Sequence, residues 1–166
     1  MRQVQAGRTD SARYEKAIEG LLTALFYPNL TNPSVQHKIH NGRKRIDITY
    51  TNLALNGFFK WVATHYPAAH IFVECKNYGK EVGNPELDQL SGRFSPSRGQ
   101  IGFLICRGFS NKRRFLESCA DTARDSRGFI LALDDNDLTR LVASRRDDPL
   151  YSEWPQLHEQ FRDLIM

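Results

Sequence analysis

The chain is short of the features that mark several common protein classes. It has three cysteines, Cys75, Cys106 and Cys119, set far apart among apolar neighbours. An odd number at such spacing argues against a disulfide framework, and no two stand at zinc-ligand spacing, so they read as reduced small hydrophobes. No apolar run approaches the length needed to cross a bilayer, and the opening MRQVQAGRTDSAR lacks the apolar centre of a signal peptide. A cytoplasmic protein with no membrane partner is expected. Neither G-x-G-x-x-G nor a Walker sequence occurs, which weighs against an α/β domain that cradles a nucleotide. Internal repeats and low-complexity tracts are absent too.

What is present suits an ordinary folded domain. Of 166 residues, 40% are apolar and 25% charged, far from a disordered composition. That length buries a real core without cross-links. The formal charge of +4 is mildly basic and compatible with a polyanion partner. Residues 1–10 are polar and read as a flexible segment ahead of a single domain over 11–166. From Ser11, ARYEKAIEGLLTALF carries Tyr14, Ile18, Leu21, Leu22, Leu25 and Phe26 at helical spacing, and Pro28 closes the element. VQHKI and RIDITYT are β-compatible, with Asn41-Gly42 at the bend as a hairpin signal. NLALNGFFKWVATHY reads as a helix despite Gly57, with Leu55, Phe58, Phe59 and Val62 as its apolar stripe.

The second half alternates strand and helix: HIFVECK, a helix from about Pro85 to Phe94, QIGFLICR, a helix from about Asn111 to Arg124, and GFILALD. Two further helices follow, DLTRLVASRR and roughly Glu153 to Leu164. Such alternation predicts an α/β fold with a partly parallel sheet and helices on its faces.

Chemistry concentrates at one strand. Side chains alternate across a strand, so Glu74 and Lys76 of HIFVECK point the same way, at the end of an apolar run where open α/β sheets build their sites. Asp47 stands between Ile46 and Ile48 although aspartate is depleted in strands. If its strand pairs beside HIFVECK, Asp47 and Glu74 converge on a hard, oxygen-rich site suited to Mg²⁺ or Mn²⁺. Lys76 then stands ready to contact a phosphate or to orient an attacking water.

These residues resemble the signature of the PD-(D/E)xK nuclease superfamily: an acid ending one strand, here Asp47, then Glu74, Cys75 and Lys76 on the next. The opening helix YEKAIEGLLTALF matches the family's form and nominates Glu15 as a further metal-reaching carboxylate, and LDQLSGRF supplies Gln89. GQIGFLICRGFSNKRRF is similar to the strand, turn and helix of Mrr-like restriction endonuclease domains. The resemblance implies a restriction-endonuclease-like three-layer core and a Mg²⁺-dependent endonuclease acting on DNA, in restriction or anti-phage defence. Asp47, Glu74, the Cys75 carbonyl and Glu15 would serve the metal, with Lys76 and Gln89 completing the catalytic set.

Ile46 stands where the signature has proline, and cysteine is less usual at the middle position. The recognition module that often accompanies Mrr-like domains is not apparent, so target recognition is expected from further domains or a partner protein. Cutting both strands asks for two active sites, which fits a homo-oligomer. Lys112, Arg113 and Arg114 open a helix, where cations oppose the macrodipole, and so suggest an anionic partner. With Arg93, Arg98 and Arg107 they form a candidate phosphate track, and Lys44 and Arg45 beside the hairpin are candidate DNA contacts. The alternative is a catalytically inactive nuclease-fold module for nucleic-acid binding or assembly.

Overall fold

The computed structural model describes residues 4–39, 44–77, 82–148 and 151–166, with the backbone alone at 38, 39 and 44. Five strands form one sheet in sequential order: β1 Leu30–Ile39, β2 Lys44–Asn52, β3 His70–Lys76, β4 Ile101–Cys106 and β5 Phe129–Leu133. The joins from β1 to β2 and β2 to β3 are antiparallel, and those from β3 to β4 and β4 to β5 are parallel. Among the described residues the helices are α1 Ser11–Phe26, α2 Gly57–His65, α3 Asn84–Ser91, α4 Lys112–Arg124, α5 Asp135–Asp147 and α6 Pro155–Ile165. Parallel neighbours require crossovers, and α3 and α4 provide them. The result is an α/β core, a mixed sheet flanked by helices. No described helix is long and apolar enough to cross a membrane.

Register decides what each face carries. The pairings Ile48↔Val73 and Val73↔Phe103 put Ile46, Ile48, Tyr50, Ile71, Val73 and Phe103 on one face. Asp47, Phe72, Glu74 and Lys76 fall on the other. The first face is covered by α1, whose stripe of Tyr14, Ile18, Leu22, Leu25 and Phe26 is buried and whose Glu19 carbonyl accepts from the Tyr50 hydroxyl at 2.9 Å. Phe26 ends the helix inside an aromatic cluster, with ring centroids 4.9 Å from Phe59, 5.0 Å from Trp154 and 5.9 Å from Phe103. Truncating a ring so placed costs about 3–5 kcal/mol. The opposite face receives α3, after which Phe94 stacks on Phe72 at 5.7 Å.

Several boundaries depart from the sequence reading. β1 starts at Leu30, well ahead of Val35, because its register slips between Thr31 and Ser34 and both Asn32 and Gln36 adopt positive φ. Those irregularities erase the alternation by which a strand is recognised. The Asn41-Gly42 bend lies outside the described residues. Leu55 is not part of a helical stripe, since α2 begins at Gly57 and Leu55 is 89% exposed. The segment ahead of α1, expected to be loose, is pinned from Val4 onward by Asn77 and Arg107.

Gly57, which looked like a liability inside a helix, is required where α2 starts. Its φ is +65°, and a Cβ there would lie 2.1 Å from the Ser152 carbonyl oxygen, which itself accepts from the Phe58 amide at 3.0 Å. Gly57→Ala is therefore expected to destabilise the fold by more than about 1 kcal/mol, through strain and clash together. Gly20, in α1 with nothing within 4 Å of a built Cβ, predicts the reverse: Gly20→Ala stabilises by about 0.5–1 kcal/mol. Urea unfolding of the two variants checks both signs.

Candidate active site

The β2–β3 ladder reaches Ile48↔Val73, and beyond it a side chain takes over. Asp47 Oδ2 accepts from the Cys75 amide at 2.9 Å, standing where a strand carbonyl would otherwise be. This explains an aspartate inside a strand and fixes its carboxylate beside Glu74. Glu74 is 1% exposed and Lys76 7%. Lys76 Nζ donates to Glu74 Oε1 at 2.8 Å and to Gln89 Oε1 at 3.0 Å, while Gln89 Nε2 donates to Glu74 Oε1. The amide of Gln89 thus closes a triangle, accepting from the amine and donating to the acid. Glu74 Oε2, by contrast, is buried and accepts no hydrogen bond from the described residues. Leaving a buried polar atom unsatisfied costs about 1–3 kcal/mol, more when it is charged.

Glu15 arrives from the other side of the sheet, on α1. It is half-buried, accepts from Gln36 Nε2, and lines a pocket of about 360 Å³ together with Asp47, Glu74, Lys76 and Gln89. All three carboxyls are harder to ionise than usual. Burial is the leading cause for each, and the negative field of Asp47 adds to it at Glu74 and Glu15. At Asp47 the Cys75 amide and the cations Lys76, Arg45 and Arg93 push the other way without prevailing. Burial, with the negative field of the same three acids, pushes the Cys75 thiol up.

Among the described residues no three His, Cys, Asp or Glu side chains close into a ligand cluster. A cage with Glu15 as third protein ligand is therefore not formed; its carboxylate is turned to Gln36. Mg²⁺ needs no such cage, since it commonly keeps several waters and is held by one or two carboxylates plus substrate phosphate. Asp47 and Glu74 supply that donor set. The orphaned Glu74 Oε2, in a pocket where acids crowd one another, is what a cation would satisfy, and the residues present fit the ion.

The cations divide into two groups. Arg45 and Arg93 line the pocket, where Arg93 Nε donates to the Arg45 carbonyl at 2.9 Å. Arg98 is a brace, donating to the Arg93 carbonyl at 3.0 Å. The basic start of α4 is not an open anion site. Lys112 is ion-paired with Asp134 at 3.0 Å and with Asp137, acids that cap and open α5, so its charge is answered inside the fold. Arg113 pairs with Glu117 at 3.3 Å on the exposed face, and both basic residues border a separate depression of about 500 Å³ between α4, α5 and α6. Arg107 is likewise structural, its guanidinium 4.3 Å from the Tyr14 ring centroid and bonded to Asn77 and Asp135. The Lys44 side chain lies outside the described residues. Sequence reasoning missed Arg8, Ser11 and Asn77, which also line the pocket; only Asn77, directly after Lys76, stood close enough to the motif to be noticed.

The raised carboxyls set a pH dependence. An acid harder to ionise in the fold than in the unfolded chain takes away stability as pH rises from its unfolded value through its folded one, and the penalty is complete above that window. Asp47→Asn keeps an oxygen for the Cys75 amide and removes one charge. In chelator it is expected to unfold at a higher temperature than wild type at pH 8, with the gain vanishing as pH falls toward 4. Saturating Mg²⁺ should reverse the order, stabilising wild type by about 2.7 kcal/mol at one hundred times its dissociation constant and the variant by far less. Thermal melts with and without Mg²⁺ measure both.

No family model matches the chain, and no solved structure matches it. Among curated proteins it is similar to the putative transposon gamma-delta 80.3 kDa protein of Escherichia coli strain K12, with 29% identity over 105 residues. The matched stretch is 63% of this chain and 15% of that relative's length.

Proposed function

We propose that this chain is a metal-dependent deoxyribonuclease of the PD-(D/E)xK type, hydrolysing phosphodiester bonds in DNA, with restriction or defence against foreign DNA as its setting. The observation that carries the reading is the meeting of Asp47, Glu74 and Lys76 in one pocket, with Glu74 Oε2 left without a partner among the described residues. Likeness to a transposon protein suits a DNA substrate.

Asp47 and Glu74, with the Cys75 carbonyl as the resemblance implies, would hold a Mg²⁺ ion, which would supply Lewis-acid polarisation of a phosphate oxygen and a larger share of hydroxide at neutral pH. The chain's own residues do the rest. Glu74 and Gln89 hold the Lys76 ammonium in a fixed direction, so that it orients the attacking water and offsets the charge that gathers on phosphate as the leaving oxygen departs. A donor aimed in advance at developing charge avoids reorganisation during the reaction. Arg45 and Arg93 hold neighbouring phosphates of the strand and set its register. Glu15 extends the acidic wall and, through its contact with Gln36, ties α1 to β1 beside the site.

Supercoiled plasmid incubated with Mg²⁺ is expected to be nicked or linearised, and chelator should stop the reaction. Lys76→Ala should lower the rate by on the order of 10²–10³-fold while DNA binding persists. In that variant the Gln89 amide still donates to Glu74, and burial already pushes the Glu74 carboxyl up. Cleavage by Lys76→Ala at the wild-type rate overturns the catalytic assignment. DNA binding by wild type with no cleavage under any divalent ion would leave the nuclease-fold binding module.

A further inference from the structure

Residues 4–10, ahead of α1, form no helix or strand, yet they are held to the site by several hydrogen bonds. Gly7 and Asn77 bond reciprocally: the Gly7 amide donates to the Asn77 carbonyl at 2.7 Å, and Asn77 Nδ2 donates to the carbonyls of Gly7 at 2.9 Å and Gln5 at 2.8 Å. Arg107 Nη2 donates to the Val4 carbonyl and Nε to Asn77 Oδ1 at 2.7 Å. Asp10 Oδ2 then accepts from the Gln5 amide at 2.9 Å, closing the segment on itself. Asn77 is 3% exposed and follows Lys76 directly, so the segment is fastened to the strand end that bears the acid and the amine. Ordering such a stretch costs backbone entropy at every residue, and Gly7 adopts φ +131°, a conformation other residues rarely take.

Gly7, Arg8 and Ser11 consequently line the same pocket as Asp47 and Glu74. The Arg8 side chain is exposed and makes no ion pair among the described residues. Arg45 from β2 and Arg93 following α3 line this pocket as well, so guanidinium groups reach the cavity that holds Glu15, Asp47 and Glu74 from three separate parts of the chain. An acidic pocket by itself repels a polyanion. Guanidinium forks around its rim offset that repulsion and match phosphate oxygens in pairs.

Resting on the nuclease reading above, we propose that Val4–Asp10 is a built wall of the substrate site, that Arg8 holds a backbone phosphate of bound DNA beside the cleaved bond, and that Asn77 is the positioning residue that presents it. The segment does not merely shelter Tyr14 and Arg107; it completes the phosphate clamp begun by Arg45 and Arg93.

The test uses a fluorescently labelled DNA duplex and the Lys76→Ala protein, which leaves the probe intact, with anisotropy titrations over a salt series. Arg8→Ala is expected to weaken binding and to flatten the dependence of log K on log salt by about one unit, the share of one phosphate contact, with no change in melting temperature. Arg8→Lys should restore most of the slope. Asn77→Ala should flatten the slope equally, and adding Arg8→Ala to it should produce no further loss. Gly7→Ala disturbs the segment from its own side and replaces Asn77→Ala if that variant does not fold. An Arg8→Ala slope equal to that of its parent overturns the proposal, and additive losses in the double variant overturn the positioning role of Asn77. Failure of wild type and parent alike to bind the duplex overturns the nuclease reading and this one together.

Discussion

The organisation of this molecule depends on a buried charge arrangement at the end of β3. Lys76 and Glu74 sit almost wholly out of water, where separate charges would be untenable. Their contact at 2.8 Å and the bridging amide of Gln89 make the arrangement tolerable, though one Glu74 oxygen remains unsatisfied. Everything nearby is subordinate to holding that cluster in place. β4 and β5 support β3 by parallel pairing, α3 brings Gln89 to one face, and the packing of α1 on Tyr50 brings Glu15 to the other. A rigid apolar sheet that gathers buried charge at the end of its central strand keeps such a cluster's geometry fixed.

Much of this was legible in the order of residues. HIFVECK shows a strand by composition and a paired acid and amine by alternation, and both survive in β3. Asp47 was conspicuous because an aspartate between two isoleucines needs a reason, and the reason is its bond to the Cys75 amide across 28 positions of sequence. The stripe in α1 was equally plain. What escaped was what no local pattern encodes. Lys112 looked unopposed because its partners Asp134 and Asp137 lie 22 and 25 positions later. The pinning of Val4 by Arg107 spans 103 positions, so a segment of polar residues was read as loose. Leu55 misled because a period in apolar residues does not reveal that the backbone starts its helix only at Gly57.

The distribution of cations follows the same division between local and distant. Of the basic residues that sequence alone offered to an anionic partner, Arg45 and Arg93 line the pocket of Asp47 and Glu74, whereas Lys112 and Arg107 are absorbed in tying helices and strands together. A mildly basic total therefore conceals two uses of positive charge, one internal and one facing the cavity. The internal group sets architecture: Lys112 joins the starts of α4 and α5, and Arg107 joins the chain beyond β4 to α1 and to the segment before it.

The bond from Asp47 to the Cys75 amide gives a single carboxylate membership in two systems. Its one oxygen belongs to the sheet, as a surrogate for main-chain pairing, while its charge belongs to the cavity. The acid cannot be taken from the cavity without also removing the pairing that stands in for main-chain hydrogen bonding between β2 and β3 at this point.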